Sequence, residues 1–394
     1  MKTGRFRLVA AALLILLAVA GAYALTAIQP KPREKPLAVE VPLTSIITLK
    51  VYRSDGRVET YQKVGDPWTQ NFMAALANFM FGRYNTNPLS LYARDGQIKT
   101  QVETEVIYVS NTYVYNVDPY LAIGIGSGSI SPSFYDVDLS NLIALIDVAA
   151  SGIAVTDNGS HIIASYSVSY TASSATTVSE LGLYWKAADY NSQTYRYYLF
   201  ARDVLSTPIS LSANDVLAIT YTITFKYNQP PMTYNFAALM FNYLFGLNYY
   251  GKALSFTTTD GTATGNADFG IDSGSSGSDY VKEYAKIKLG SGTPSYTARI
   301  IDVRSAIVTT NSVQVNTGSN STHFYFTLTV GYPFTSAAAV SEAALIIDSI
   351  DAAADNSYTA KQLLVLYFPI TSPVSVPAGG AVKFTFTIAF RISP

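Results

Sequence analysis

The chain has 394 residues, with 26 Lys and Arg against 27 Asp and Glu, which gives a net charge of −1. This balance provides no electrostatic footprint for nucleic acid or for an anionic membrane. The chain has no cysteine and only two histidines, which excludes disulfides, thiol catalysis, cysteine-ligated metal and a zinc site of three histidines.

The N-terminal segment has the pattern of an export signal. Basic residues precede an apolar run over residues 8–28, and a small-x-small motif predicts cleavage after Ala24. The run is also long enough to span a bilayer. Residues 1–28 are therefore either a signal peptide or, if uncleaved, a membrane anchor through residues 8–28.

Residues 29–45 are rich in proline. The prolines at positions 30, 32 and 36 prevent a helix from continuing. We therefore expect a stiff, extended stalk between the membrane or signal segment and the first folded domain.

The first domain opens with a strand and a helix. Ile47, Leu49 and Val51 alternate with polar residues, which predicts a strand. After a turn at residues 54–56, Asp66 is the predicted N-cap of a short helix that ends at Gly82.

An internal duplication follows from landmarks that recur in the same order. They are spaced by 162–165 residues, too regular a set for chance. The pairs are Asn71-Phe72 with Asn235-Phe236, Gly126-Ser127-Gly128 with Gly290-Ser291-Gly292, Asn158 with Asn320, Glu180 with Glu342, and Thr222–Phe225 with Thr387–Phe390. We assign copy one to residues 46–228 and copy two to residues 229–394.

Copy two has no opening strand of its own in this interpretation. We expect the closing strand of copy one, residues 217–225, to serve both copies, followed by a helix from Phe236 to Gly246. The strictly alternating segment 382–392 closes copy two. The fold class is mainly β, with two tandem β-sandwich or jelly-roll-like domains, each with one short helix, after the N-terminal hydrophobic helix.

Copy one resembles a β-domain of phage tail-fibre and other virion proteins. The matching segments are Gly124–Gly128, Ser179–Tyr184, Leu199-Phe200-Ala201-Arg202, Pro208–Leu211 and Asp215–Phe225. Copy two is a looser match, since Ala344 replaces a glycine and Leu366–Pro369 replaces Leu-Phe-Ala-Arg. The resemblance implies a β fold and a structural role, although the export signal departs from tailed-phage proteins. In composition the chain is similar to surface filament and sheath proteins of thermophilic archaea.

Glu180 and Glu342 are the carboxylates with the best claim to chemistry, because they match between copies. A glycosidase needs two carboxylates close together, whereas each copy supplies one. The alternative is a structural glutamate that accepts hydrogen bonds from a loop backbone, and we predict no catalytic residue.

Two sequons occupy the same place in the two copies. Asn158 and Asn320 each head an Asn-x-Ser/Thr sequence, which predicts exposed, glycosylated side chains. His161 and His323 follow them directly, and we expect both to lie in surface loops or at strand starts.

A Gly/Ser-rich stretch, residues 257–279, contains Asp260, Asp268, Asp272 and Asp279. Of these, Asp268, Asp272 and Asp279 are candidate calcium ligands, but the spacing departs from an EF-hand. The alternative is a plain solvated loop, so we predict no metal and no cofactor.

These features together predict an exported, non-catalytic structural protein of the cell surface that is extracellular or membrane-anchored. A filament, pilus-like or sheath subunit assembling with itself through terminal strands, residues 46–53 and 382–392, is the leading interpretation. A virion tail, spike or coat protein, a carbohydrate-binding adhesin and, last, a secreted hydrolase are the alternatives. No nucleic-acid partner is predicted.

Overall fold

The computed structural model describes residues 33–80, 89–99, 102–103, 106–109, 112–116, 120–189, 194–261, 263–264, 285–310, 313–352 and 358–392. The predicted signal cleavage at Ala24 and the calcium candidates Asp268, Asp272 and Asp279 lie outside these residues. Within them the chain is mainly β, which confirms the fold class at that level.

The strands follow one another along the chain as listed here. In the N-terminal part they are β1 (Arg33–Glu40), β2 (Leu43–Tyr52), β3 (Val58–Val64), β4 (Leu91–Tyr92), β5 (Ile98–Lys99), β6 (Val102–Glu103), β7 (Val106–Val109), β8 (Thr112–Asn116), β9 (Tyr120–Gly126), β10 (Leu142–Asp147), β11 (Ile153–Asp157), β12 (His161–Thr171), β13 (Thr176–Asp189), β14 (Tyr195–Leu211) and β15 (Val216–Lys226). In the C-terminal part they are β16 (Phe256–Thr257), β17 (Ala263–Thr264), β18 (Ala285–Gly290), β19 (Ala306–Thr310), β20 (Gln314–Ser319), β21 (His323–Pro333), β22 (Ala338–Ala352), β23 (Tyr358–Val376) and β24 (Ala381–Arg391). The helices are α1 (Gln70–Met80) and α2 (Tyr234–Tyr243), with a short 3-10 turn at Ala150–Gly152.

Two sheets form the N-terminal half, residues 43–226. One has the order β11-β12-β15-β2-β3 and the other the order β10-β9-β13-β14, with β6 beside β13. The alternating residues of β2 and β15 face inward, and Ile47, Leu49 and Ile219 are at most 1% exposed. Two sheets that share a core in this way are compatible with a β-sandwich.

The C-terminal half, residues 234–391, repeats this strand order. One sheet has the order β19-β18-β22-β23, which parallels β10-β9-β13-β14, and the other has the order β1-β24-β21-β20. As predicted, the apolar residues of β24 are buried, with Phe384 and Ile388 at 0% exposure.

Each helix packs on the closing strand of the other half. Phe72 of α1 contacts Phe390 of β24 at a ring-centroid distance of 6.2 Å. Reciprocally, Phe236 of α2 contacts Phe225 of β15 at 5.6 Å. One hydrophobic core therefore runs through both halves.

Helix α1 begins later than predicted. Its first residue is Gln70, not the position after Asp66, because Asp66 is engaged elsewhere: its carboxylate accepts from the N–H of Val204 at 3.1 Å. In α2 the N-cap is Thr233, whose hydroxyl accepts from the N–H of Phe236 at 3.3 Å. Gly246, the predicted end of this region, has a positive φ of 72°.

Two expectations about the terminal strands are wrong. Strand β15 pairs with β12 and β2, all within the N-terminal half, so it does not open the second half. Strand β2 lies inside its sheet between β15 and β3, so residues 46–53 are not an edge. Residues 33–40, placed in a free stalk above, form β1 and pair in parallel with β24.

Candidate functional site

The carboxylate of Glu180 is buried beneath the loop of residues 127–141. Glu180 is 0% exposed and lies opposite Gly126 in the β13–β9 pairing. Its Oε1 accepts from the N–H groups of Gly128 at 2.9 Å and Asn141 at 2.8 Å, and its Oε2 accepts from the N–H of Ser140 at 3.1 Å. The carboxylate thus fixes both ends of the loop.

Arg202 completes the neutralisation of this carboxylate. Its Nε and Nη2 donate to Oε2 of Glu180 at 2.9 and 2.7 Å, and its Nη1 donates to Asp136 at 2.9 Å. Burial raises the pKa of Glu180, but the loop N–H groups and the guanidinium together lower it, and the resulting pKa lies below the ordinary value. The group is therefore a buried anion, held in the charged form.

The neighbouring glycines make room for the glutamate. A Cβ on Gly126 would lie 2.7 Å from Oε1 of Glu180, and a Cβ on Gly128 would lie 2.4 Å from the same oxygen. The Gly-x-Gly motif and the glutamate, 54 residues apart, are parts of one structural unit.

Glu342 occupies the corresponding place in the C-terminal half. It is 0% exposed and lies opposite Gly290 in the β22–β18 pairing. Its Oε2 accepts from the N–H of Arg304 at 2.9 Å, and the hydroxyl of Tyr367 donates to its Oε1 at 2.6 Å. A phenol in this half thus takes part of the role that a guanidinium has in the other, and burial raises the pKa of Tyr367.

The two sequons lie in equivalent exposed turns. Asn158 Oδ1 accepts from the N–H of His161 at 2.8 Å, and Asn320 Oδ1 accepts from the N–H of His323 at 2.7 Å. Both asparagines are exposed, and the two histidines begin β12 and β21 as predicted. These turn bonds use the carboxamide oxygen and not Nδ2, the atom to which a glycan attaches.

Four buried asparagines on the helices have roles that sequence reasoning missed. Each bonds both the N–H and the C=O of one loop residue, at distances of 2.8–3.2 Å. The pairs are Asn71 with Tyr92, Asn78 with Leu89, Asn235 with Thr257, and Asn242 with Leu254. The signal was available, since both helices carry asparagines seven residues apart on the predicted buried face.

A partly exposed aromatic cluster joins the halves. Tyr120 of β9 stacks on Tyr249 at 4.4 Å, and the ammonium of Lys186 lies 4.8 Å from the Tyr120 ring centroid. Lys186 also donates to Asp147 at 2.7 Å. The neighbouring Tyr250 hydroxyl accepts from the N–H of Leu121 at 3.0 Å. The rings and charges of this cluster are used in contacts between the two halves.

The metal candidates gain no support from the described residues. In those ranges, acidic and histidine side chains form no group of three that could hold a metal ion. Asp260, which is described, has the hydroxyl of Thr258 as a hydrogen-bond partner.

No helix within the described part of the chain combines the length and the hydropathy that a bilayer span requires.

Comparisons with known proteins leave the family open. No family model and no curated protein matches the chain. Among solved structures, the chain is aligned with the crystal structure of 2'-deoxycytidine 5'-triphosphate deaminase from Agrobacterium tumefaciens, at 12% identity over 82% of this chain and 94% of that chain. The TM-score of 0.10 is too low for this alignment to bear on fold or function.

Proposed function

We propose that this chain is an exported, non-catalytic structural subunit of the cell surface, which assembles with itself into a filament, pilus-like structure or sheath. In this proposal the two halves are copies of one domain. The shared strand order and the Glu–Gly units of Glu180 with Gly126 and Glu342 with Gly290 support the duplication.

The observation that carries the proposal is the pair of uncharged outer sheet faces. On the first, Ser167 and Thr220 are hydrogen-bonded across β12 and β15 at 2.8 Å, and Ser165 and Thr222 at 3.0 Å. Such ladders contribute to sheet stability and keep charge off the surface. A second copy can pack on these faces without desolvating an ion.

The other sheet repeats this chemistry. Thr327 lies opposite Thr387, and Thr329 opposite Thr385, across β21 and β24. All four threonines are half-buried. A subunit with one such face on each half has two surfaces suited to lateral contact.

The buried glutamates argue for a structural role over hydrolysis. Glu180 and Glu342 are fully buried, and both use their oxygens on loop N–H groups and on one side-chain partner each. A general acid or nucleophile must reach its substrate. In place of chemistry, each carboxylate holds a loop in one conformation.

The test uses native material and recombinant protein. Negative-stain microscopy with mass spectrometry of host surface preparations should find the chain in filaments or sheaths, beginning after Ala24 and carrying glycans on Asn158 and Asn320. Finding it instead in purified virus particles would support the virion alternative.

The matched variants are Thr220→Lys and Ala213→Lys, in the chain without residues 1–24. Thr220 lies on the first uncharged face, whereas Ala213 is exposed in the turn before β15. Light scattering should show assembly at high concentration for the parent and for Ala213→Lys, and reduced assembly for Thr220→Lys. A parent chain that stays monomeric at every concentration contradicts the proposal.

A further inference from the structure

The sheet of the C-terminal half is completed by the N-terminal strand of the chain. Strand β1 pairs in parallel with β24, from Arg33 opposite Val382 to Glu40 opposite Ala389. In the N-terminal half the corresponding place beside β15 is filled by β2, antiparallel, with β3 beyond it. Only residues 227–233 separate β15 from α2, which leaves no strand of the C-terminal half for this position.

Strand β1 is tied to the domain it completes by a short hinge that leads elsewhere. Two residues, Val41 and Pro42, connect it to β2 in the N-terminal half. The N–H of Val41 donates to the C=O of Ala389 at 2.9 Å, and the C=O of Pro42 accepts from Lys226 at 3.2 Å. The hinge thus passes directly from one half to the other, and a short hinge of this kind is a known route to strand exchange between copies.

The backbone of β1 suits an added strand that ends the sheet. Since Val41 donates to β24, alternation along the strand directs the backbone groups of residues 33, 35, 37 and 39 toward β24 as well. The missing N–H of Pro36 then falls on the outer edge, where it costs no ladder bond and blocks a further strand.

The opposite edge, β3, is protected against strand addition. Glu59 and Lys63 lie opposite the core residues Val51 and Ile47, which places these charges on the inner side of the sheet. Inward-facing charges at an edge oppose pairing with another chain. By contrast, the inner side of β24 is apolar, with Val382, Phe384 and Phe386 at most 2% exposed.

We propose that β1 of one copy fills the edge of β24 in a second copy. The proposal rests on the self-assembly proposed above and names the segment that carries it. Each chain then has one donor strand, residues 33–40, and one acceptor edge, β24, on different surfaces. A donor and acceptor that differ give a head-to-tail contact, and such contacts extend into an open chain of copies.

The native chain contains no cysteine, so introduced cysteines report the pairing directly. Residue 38 lies opposite residue 387, and adjacent strands bring paired Cα atoms within the range that a disulfide spans. Ala38→Cys and Thr387→Cys are made separately in the chain without residues 1–24, one with a size tag. The two are unfolded together, refolded, oxidised and separated on a non-reducing gel.

The matched control is the pair Thr48→Cys and Thr220→Cys, which lie opposite each other in β2 and β15 within one half. We expect a disulfide-linked dimer of the two differently sized chains for the 38/387 pair and none for the 48/220 pair. The double variant Ala38→Cys, Thr387→Cys should give a ladder of linked oligomers.

Three results would overturn the inference in distinguishable ways. If the double variant forms only intrachain disulfides while the chain still assembles, strand exchange is wrong and the proposed function stands. If the chain also fails to assemble, both proposals are wrong. A single linked dimer from the double variant would show a closed exchange and overturn the open chain.

Discussion

Removal of the Arg202 guanidinium should strongly destabilise the N-terminal half. Arg202 and Glu180 are both almost fully buried, and Arg202→Met would leave the carboxylate with its loop N–H bonds but without a countercharge. Breaking a buried ion pair by removing one partner costs about 3–5 kcal/mol. We expect a loss of this size in the free energy of unfolding.

Urea denaturation followed by fluorescence measures this loss, and Arg57→Met is the matched control. Arg57 forms an ion pair with Asp55 of similar length, 2.7 Å, but the two side chains are 70% and 54% exposed. Exposed pairs contribute about 0–1 kcal/mol. If Arg202→Met and Arg57→Met lose equal stability, burial does not govern the Glu180 pair and the reasoning is refuted.

Hydrogen exchange adds a local measurement. The amides of Gly128 and Asn141 donate to Glu180, so their protection should fall in Arg202→Met. Unchanged protection of both amides would mean that the loop is held by other contacts.

Three further predictions concern buried groups. Gly128→Ala should destabilise by about 1–3 kcal/mol through overpacking, since its Cβ would meet the buried glutamate, whereas Gly331→Ala, which faces open space, should be tolerated; equal urea midpoints would contradict this. Tyr166→Phe should be neutral or stabilising because the Tyr166 hydroxyl has no hydrogen-bond partner among the described residues, while Tyr221→Phe should destabilise because Tyr221 donates to Asp203 at 2.8 Å; a larger loss for Tyr166→Phe would be inconsistent with this. Burial raises the pKa of Asp203 to about 7, so the folded state binds the extra proton between about pH 4 and 7 and the Asp203 contribution to stability falls as pH rises through that window; Asp203→Asn should therefore gain stability relative to the parent as pH rises, and a pH-independent difference in urea midpoint would exclude this.

The strands were predictable where one face is buried. Period-two alternation placed Ile47 and Leu49 in β2 and Phe384 and Phe386 in β24 on core-facing sides, and all four are buried. This succeeds because a sheet with one buried face writes its orientation into every second residue.

The partnership between Glu180 and the glycines was not predictable from local patterns. Gly126 and Gly128 read as a turn, and Glu180 as an isolated carboxylate, because their contact depends on the β9–β13 register. The repetition of both features in Gly290 and Glu342 at nearly constant spacing was the available signal. Residues that recur together in two copies are candidates for mutual contact even when they are far apart in sequence.

Strand β1 was missed because its local sequence opposes strand formation. Pro36 and the charged residues around it favour an extended linker, and nothing nearby supplies a pairing partner. The partner, β24, lies at the far end of the chain, so only the three-dimensional structure reveals the open position. The proline is tolerated since its missing donor faces the outer edge.

The reciprocal packing of the two halves explains why growth should depend on this one asymmetric strand. Phe72 on Phe390 and Phe236 on Phe225 are equivalent contacts in the two directions, so the helices close the halves on each other. A pair closed in this way satisfies its own apolar surfaces and offers a neighbour nothing in the same register. The departure from equivalence lies beside β24, where β1 stands in parallel in place of an antiparallel strand such as β2. An element that breaks the internal symmetry, and that is joined to the rest by two residues, is the element able to connect one copy to the next.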